Sequence, residues 1–250
     1  MGNLTRDPDS RPVRIPALDI ARTLALAGMV AFHFTFDLAM FGVIAPGTTN
    51  GTPFWELARL VAGSFLFLAG VSLWLAHGRR IRWRAFWRRF VIIAGAAAVI
   101  SVATRIALPD RFIFFGILHS IAAASLIGLA FLRLPPTLIL TAAAGTFALS
   151  RVPILLPFDS PLLWGTGLSV GTPASVDFLP LVPWLSPFLA GMALAKILDR
   201  AGGWERLRQR SMPGPFMRAL SFPGRHSLII YLVHQPVLIG LLWSVLRVWG

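Results

Sequence analysis

Residues 17–43 read ALDIARTLALAGMVAFHFTFDLAMFGV, and all but a few of their side chains are apolar. An α-helix rises about 1.5 Å per residue, so this run is long enough to cross a hydrocarbon core about 30 Å thick. The stretch therefore predicts a transmembrane helix and an integral membrane protein.

Four ionisable side chains interrupt this predicted helix, namely Asp19, Arg22, His33 and Asp37. At about 100° per residue they lie within about 60° of one another on the helix surface. Ionisable groups that face lipid are costly, so the stripe is expected to face a protein interior or a water-filled cavity. This stripe favours an enzyme or a transporter over a simple membrane anchor.

The composition agrees with a membrane protein. The 250 residues are 56% hydrophobic and 13% charged, with a mean hydropathy of +0.73, whereas a soluble domain carries about 25% charged residues. The formal net charge of +13 comes from basic residues that cluster between the apolar runs, which favours positive-inside topology over nucleic-acid binding. The absence of cysteine excludes disulfides, thiol nucleophiles and cysteine-ligated metals.

The sequence predicts an all-α fold, a polytopic integral membrane bundle of about seven transmembrane helices. We expect a single membrane-embedded domain, residues 1–250, with residues 1–14 as a polar cytoplasmic tail and no cleavable signal peptide. The predicted spans are 17–43, 54–76, 87–108, 112–132, 135–152, 178–198 and 226–248.

Charge alternates between the predicted loops. Most of the 23 lysine and arginine residues lie in the N-terminal tail (Arg6, Arg11 and Arg14), in residues 77–89, at Arg133 and in residues 196–225. The intervening loops contribute only Arg111 and Arg151. The positive-inside rule then places the N-terminus in the cytoplasm and the C-terminus outside.

Histidines are the strongest candidates for chemistry. His33 and Asp37 are four residues apart on one helix face, so the carboxylate is expected to orient the imidazole as a general base. His119 is a second interior candidate, with a structural role left open. His234 precedes Gln235 and Pro236 and either satisfies the backbone carbonyl that the proline frees or takes part in the site. His77 and His226 are expected to be ordinary surface residues.

Arginines are the candidates for binding an anion. Asp19 and Arg22 either neutralise each other or leave Arg22 to hold an anionic group. Guanidinium groups match phosphate oxygens, so some members of the arginine-rich loop are candidates for a phosphate-bearing cofactor, against the plain interpretation of a positive-inside loop. These are Arg79, Arg80, Arg88 and Arg89. At the opposite end, Arg59 and Asp177 are candidates for binding a substrate. The histidines form no convincing metal constellation, and no metal is expected.

These motifs resemble a known family. The spacing of Arg22 and His33 resembles the Arg–x10–His signature of type-3 membrane acyltransferases, and GRHSLIIYLVHQPVL at 224–238 is similar to the C-terminal helix of that superfamily. Other segments resemble short bacterial proteins related to the catalytic domain of heparan-alpha-glucosaminide N-acetyltransferase. These segments are ALDIARTLALAGMVAFHFTFDL (17–38), FLFLAGVSLWLA (65–76), RRFVIIAGAAAVISVATR (88–105), FIFFGILHSIAAASL (112–126) and DFLPLVPWLSPFLAGMAL (177–194).

The resemblance implies transfer of an acetyl or other acyl group from cytoplasmic acyl-CoA to an extracytoplasmic sugar or cell-envelope glycan, in the bacterial cytoplasmic (inner) membrane. Acyl-CoA is the implied co-substrate, and the lipid bilayer is the expected partner of the apolar surface. No nucleic-acid partner is expected, and a homo-oligomer is an open possibility. The family's histidine and arginine map onto His33 and Arg22. The lysosomal enzyme's proposed catalytic histidine lies beyond its first helix, where this chain reads PGTTNGTP, so the glucosamine acceptor does not carry over.

The resulting hypothesis gives each residue a role. Arg22 and the arginine-rich loop bind the phosphates of acyl-CoA, His33 with Asp37 deprotonates the acceptor or takes the acyl group itself, and His119 stabilises the oxyanion. Two alternatives stay open. One is a proton-coupled transporter that uses the same buried groups, and the other is a non-catalytic membrane partner or lipid-binding subunit.

Overall fold

The computed structural model describes residues 15–152, 160–169, 171–209 and 214–249, and within them the fold is all-helical. The predicted tail, with Arg6, Arg11 and Arg14, lies outside the described residues. A 3-10 turn, Pro46–Asn50, follows the first helix. The helices are α1 Pro16–Met40, α2 Thr52–His77, α3 Trp83–Ala107, α4 Ile117–Phe131, α5 Pro136–Leu149, α6 Pro161–Trp164, α7 Leu181–Arg200, α8 Gly203–Gln209, α9 Pro215–Arg225 and α10 Ser227–Trp249.

Five of these helices, α1, α2, α3, α7 and α10, are long and apolar enough to cross a membrane. The chain is therefore a multi-pass membrane protein. The predicted fourth and fifth spans correspond to α4 and α5, which have only 15 and 14 residues. Residues 112–116 of the predicted fourth span form an irregular segment before α4 instead of a helical turn. Helix length therefore supports five of the seven predicted spans.

Helices α2, α4, α5 and α7 form the core. Leu66 and Leu73 of α2 and Phe188 of α7 are among its fully buried side chains. Two glycines let α2 and α7 approach closely: a Cβ on Gly70 would overlap the Phe188 carbonyl, and one on Gly191 would overlap the backbone of α2. Small residues at such contacts are typical of helix packing in membranes.

Helix α4 is attached to the α7 segment at both of its ends. At its start, the buried Ser120 hydroxyl donates to the Leu179 carbonyl, just before α7. At its end, Lys196 Nζ of α7 donates to the Leu132 and Leu134 carbonyls at 3.1 and 2.6 Å. Lys196 is only 6% exposed, so it is a buried helix-end cap and not the loop cation that its position in a basic stretch predicts.

The basic segments meet at one end of the bundle. The Arg22 guanidinium near the start of α1 bonds Ser72 near the end of α2, and Arg79 after α2 bonds Asp199 near the end of α7 at 3.4 Å. At the other end, the Val176 amide donates to the Arg111 carbonyl. Which end faces the cytoplasm stays a prediction.

Helix α1 connects the core to helices α9 and α10. It packs against α2 on one side and against α9 and α10 on the other. Helix α10 is otherwise exposed along most of its length, as expected for a helix whose outer surface faces lipid. The contact between α1 and α10 brings two histidines together.

Candidate functional site

A pair of imidazole rings lies between α1 and α10. The ring centroids of His33 and His234 are 4.9 Å apart, with the planes inclined at 59°. His234 is 9% exposed, and among the described residues no hydrogen bond to His33 is formed. The stripe on α1 therefore faces protein, as its polarity predicts, and meets a second histidine there.

Hydrogen bonding fixes the tautomer of His234. Its Nδ1 lies 2.6 Å from the Tyr231 carbonyl, and because a carbonyl oxygen only accepts, Nδ1 carries the proton in this assignment. In the neutral ring Nε2 is then an acceptor with a lone pair. That Nε2 is buried and has no partner within the described part of the chain. His234 is thus arranged as a base, a role that the sequence leaves open.

Asp37 bonds α10 instead of His33. Its Oδ1 accepts a 2.7 Å hydrogen bond from Gln235 Nε2, and its Oδ2 has no partner among the described residues, so the predicted bond between Asp37 and His33 is not formed. The physical reason is that Gln235 follows His234 directly and reaches the carboxylate across the interface. Gln235 is a site residue that the sequence analysis does not single out, although a glutamine within an apolar span is itself a signal of a polar contact.

Three buried polar atoms of this cluster lack partners within the described segments: Asp37 Oδ2, His234 Nε2 and Gln235 Oε1. Buried polar groups are nearly always hydrogen-bonded. Several unpaired polar atoms in one place therefore indicate that a ligand, a water molecule or an added proton completes their hydrogen bonds. The cluster of His33, Asp37, His234 and Gln235, here called the imidazole cluster, is the candidate reaction centre.

A second cluster lies at the basic end. Arg22 donates to Asp19 Oδ1 and to Ser72 Oγ, both at 2.7 Å, and Arg225 Nε lies 3.5 Å from Asp19 Oδ2. The half-buried Arg89 is near enough for its charge to repel that of Arg22. Two guanidinium groups thus lie at one carboxylate, and a third interacts with Arg22. Among the described residues, this basic cluster of Arg22, Arg89, Arg225 and Asp19 has more guanidinium groups than carboxylates, which suits it to an anion. Arg225 is a member that the sequence does not single out.

The other predicted arginines are more peripheral. Arg80 and Arg88 are exposed, and so is Arg59 on α2. Arg79 is exposed as well and pairs with Asp199. None of these four contacts the imidazole cluster among the described residues, so their binding roles stay predictions.

His119 lies in a separate hydrogen-bond network at the start of α4. Its Nδ1 accepts from the Gly116 amide and its Nε2 contacts Ser101 Oγ, both at 3.2 Å. Because Ser101 donates its proton to the Ile113 carbonyl, Nε2 is the protonated nitrogen of His119. Both ring nitrogens are engaged in holding the loop before α4, and the predicted role of His119 in catalysis stays a prediction.

Asp177 lies next to this network at the start of α4. Its Oδ2 accepts from the Ile117 amide at 3.2 Å, the first residue of α4, where a negative charge is favourable. Desolvation raises the pKa of the Asp177 carboxyl to about 6, against the opposing effect of the Ile117 hydrogen bond. Asp177 also interacts electrostatically with Tyr231, whose ring centroid is 5.7 Å from that of His234. The predicted substrate-binding carboxylate thus lies at the start of α4, and its role in binding stays a prediction.

The two remaining histidines, His77 and His226, differ in their exposure. His77, expected at the surface, is 3% exposed and accepts a hydrogen bond from the Arg82 amide. His226 is exposed as expected. Across the residues that the structure describes, no group of three or more His, Asp or Glu side chains is arranged to hold a metal ion.

Comparison with known proteins places the chain in a family. The family profile described as "Heparan-alpha-glucosaminide N-acetyltransferase, catalytic" matches residues 14–236, a range that includes both histidines, Asp37 and Gln235. No curated protein and no solved structure matches the chain. Because the matched range covers most of the sequence, the chain belongs to the heparan-alpha-glucosaminide N-acetyltransferase catalytic family, as the sequence motifs predict.

Proposed function

We propose that this protein is a membrane-bound acyltransferase that moves an acetyl or other acyl group from cytoplasmic acyl-CoA to a hydroxyl or amine of an extracytoplasmic sugar or envelope acceptor. The observation that carries the proposal is the buried, unpartnered Nε2 of His234 beside His33. In a chain of an acetyltransferase family, such a base is what deprotonation of an acceptor requires.

The basic cluster supports binding of the donor. CoA carries phosphates, and Arg22, Arg89 and Arg225 bring three guanidinium groups to this end of the bundle. Arg22 and His33 are 11 residues apart on α1, which corresponds to about 16 Å along the helix axis. An extended pantetheine arm that begins at the basic cluster would carry the thioester toward the imidazole cluster.

The chemistry assigned to the imidazole cluster balances without a metal or redox group. The acceptor oxygen or nitrogen attacks the thioester carbonyl carbon while the histidine pair takes its proton. The carbon–sulfur bond then breaks, and the CoA thiolate takes up the proton that the pair holds. A second route has His33 attack the thioester first, so that an acyl-imidazole passes the group to the acceptor.

The test is acyl transfer by the purified protein in lipid nanodiscs. With acetyl-CoA and a panel of sugar acceptors we expect release of free thiol together with acetylated acceptor. His33→Ala and His234→Ala should each lower kcat by about 100-fold or more, the usual contribution of general acid–base catalysis. His226→Ala, which removes an exposed histidine of the same chain, is the matched control and should retain activity.

Donor binding has its own readout. Acetyl-CoA should raise the thermal unfolding midpoint by mass action. Arg22→Gln and Arg89→Gln should reduce that shift, and Arg84→Gln, at an exposed arginine of the same loop, should not. Full transfer by a folded His33→Ala protein would refute the assignment. Proton-dependent flux of a solute without thiol release would establish the transporter alternative instead.

A further inference from the structure

The hydroxyl of Thr23 on α1 is inserted into the backbone of α9. It donates to the Leu220 carbonyl at 2.8 Å and accepts from the Gly224 amide at 2.9 Å. In a regular α-helix these two backbone groups, which are four residues apart, would bond each other. The side chain of one helix therefore completes the hydrogen bonding of another.

The sequence of α9 explains why its hydrogen-bond ladder is open at this point. Pro223 has no N–H, and its ring disfavours a regular helical turn before it. Gly224 is buried and has no side chain, and a Cβ at this position would overlap the Asp19 carbonyl. The last turn of α9 therefore lies directly on the first turns of α1, where Thr23 replaces the missing bond.

The bond across the two helices is the shorter of the two that Thr23 can donate. A threonine inside a helix commonly bonds the carbonyl four residues earlier, as Thr35 of α1 does with Ala31. The corresponding carbonyl for Thr23 belongs to Asp19 and is 3.1 Å away. The 2.8 Å distance to Leu220 is nearer the optimum for a hydroxyl donor. Thr23 thus acts between helices, whereas Thr35 acts within one.

This contact fixes the position of Arg225. Arg225 follows Gly224 directly, and its Nε lies 3.5 Å from Asp19 Oδ2, which is too long for a strong hydrogen bond. Within the described part of the chain its two terminal nitrogens form no hydrogen bond, and 33% of its side chain is exposed. The ion pair alone therefore holds the guanidinium loosely, and its place beside Asp19 depends on the backbone of α9.

Arg22 and Arg225 lie on the two sides of one carboxylate. Arg22 donates to Asp19 Oδ1 at 2.7 Å, and Arg225 approaches Oδ2. A phosphate group offers several acceptor oxygens, so two guanidinium groups at a fixed separation match it better than one mobile group. Arg225 also lies just before α10, the helix that carries His234. The position of Arg225 therefore matters at the donor end of the helix that contributes to the imidazole cluster.

We propose that Thr23 is a positioning residue for the donor site: its hydroxyl, inserted between Leu220 and Gly224, holds Arg225 where the guanidinium binds a phosphate of acyl-CoA. This inference rests on the proposed acyltransferase function and deepens its donor site. Thr23 acts through Arg225, so loss of one uncharged hydroxyl weakens the binding of an anion and has no further effect once Arg225 is replaced.

The first test measures binding without transfer. The probes are CoA and inorganic pyrophosphate, each titrated by calorimetry into the protein in phosphatidylcholine nanodiscs. Thr23→Val keeps the shape of the side chain without its hydroxyl and should raise the Kd of both probes by about tenfold. Thr23→Ser, which retains the hydroxyl, should stay within about twofold of the wild-type protein. Thr35→Val, the same substitution on the same helix, is the matched control and should also bind like the wild-type protein.

A double-mutant cycle shows whether Thr23 acts through Arg225. Arg225→Gln should raise the Kd at least as much as Thr23→Val, and the double variant should bind no more weakly than Arg225→Gln alone. Fold-changes that multiply in the double variant would mean two independent effects and would overturn the positioning role. A Thr23→Val protein that binds both probes like the wild-type protein would overturn it as well. If Thr23→Val does not fold, Thr23→Ala takes its place in the cycle.

Transfer kinetics separate positioning from general damage. With acetyl-CoA, Thr23→Val should raise the KM for the donor by about tenfold and leave kcat within about twofold, because the lost interaction is made equally in the ground state and the transition state. A fall in kcat at an unchanged KM would place the effect at the imidazole cluster and would contradict the inference.

The two probes distinguish this inference from the function on which it rests. If pyrophosphate binds with the expected dependence on Thr23 and Arg225, but CoA does not bind and no thiol is released, the acyltransferase function fails and the anion site stands. If the wild-type protein binds neither probe, there is no donor site for Thr23 to position, and the inference is overturned.

Discussion

The hydrogen bond between Gln235 and Asp37 joins residues that are 198 positions apart in the chain. Asp37 is one helical turn beyond His33, and Gln235 follows His234, so this bond fixes the register of α1 against α10 at the point where the two rings meet. A carboxylate with no exposed surface also depends on that bond for part of its solvation. At the residue scale, Gln235 is therefore a positioning residue for the imidazole cluster.

Replacing Gln235 by Leu should lower the free energy of unfolding by about 1–3 kcal/mol, because the Asp37 carboxylate stays buried and loses its donor. Acyl transfer should fall as well, since the two rings lose their register. The measurement is the thermal midpoint and kcat in nanodiscs. Ser244→Ala is the control, because the partner of that hydroxyl within the described residues is the Gly240 carbonyl of its own helix.

A double-mutant cycle separates this bond from general damage. Asp37→Ala and Gln235→Leu should show a coupling energy of at least about 0.5 kcal/mol, as contacting residues do. Additive effects would mean that the two side chains do not act through each other, which would contradict the positioning role.

At the scale of single helices, the α4–α7 pair shows how polar groups hold short helices in place. Asp177 accepts from the first amide of α4, and Lys196 caps the carbonyls beyond its last turn. Lys196 Nζ also lies 4.6 Å from the centroid of the Trp74 ring, a favourable cation–π geometry. These contacts stabilise ends that would otherwise leave unpaired backbone groups inside an apolar core.

Lys196→Met should lower the free energy of unfolding by about 1–3 kcal/mol, since methionine preserves the apolar stem but leaves the Leu132 and Leu134 carbonyls without their donor. Arg200→Met, at an exposed cation one turn later, is the matched control and should change stability by less than about 0.5 kcal/mol. Both variants are measured by thermal unfolding. If the two lose comparable stability, Lys196 does not act as a helix cap.

Asp177 predicts a pH dependence. Its pKa is about 6 in the folded protein and about 3.9 in an unfolded chain. A carboxyl whose folded pKa is raised binds its proton more tightly in the native state. Its contribution to stability is then fully present below about pH 3.9 and is lost as the pH rises through about 6. Asn cannot ionise, so the thermal midpoint of the wild-type protein should fall relative to Asp177→Asn between pH 4 and pH 7.

The neighbouring exposed carboxyl provides the comparison for that experiment. Asp110→Asn should follow the wild-type curve across the same pH range. A wild-type midpoint that rises relative to Asp177→Asn would show a lowered pKa instead, and would mean that the Ile117 amide outweighs burial.

For the molecule as a whole, the sequence predicts what depends on local pattern and misses what depends on pairing between distant helices. Apolar run length predicts an all-helical membrane fold, and the 100° period correctly predicts that the polar stripe of α1 faces protein. Neither reveals that α10 is its partner, because His33 and His234 meet only through tertiary packing. The expected bond from Asp37 to His33 is wrong for the same reason: a partner from another helix competes for the carboxylate. Burial of Lys196 and His77 likewise depends on neighbours that no local window contains.

The number of membrane crossings is the remaining question at this scale. Helix α4 is too short by length alone, yet it is attached near both ends to the α7 segment, through Ser120 and Lys196. Since α7 is long enough to cross, α4 covers much of the same depth, and residues 112–116 add to its length. We therefore expect α4 and α5 to cross as well, which gives seven spans.

The position of Arg133 in the turn after α4 distinguishes seven spans from five, and the cysteine-free chain permits a clean test. If α4 crosses, a membrane-impermeant maleimide should label Arg133→Cys from the same side as Arg80→Cys and from the side opposite to Arg111→Cys. If α4 and α5 only enter and return, Arg133→Cys and Arg111→Cys will label from one side. All three positions are exposed, so accessibility reports sidedness and not burial, and cytoplasmic labelling of Arg80→Cys would confirm that the basic end faces the cytoplasm.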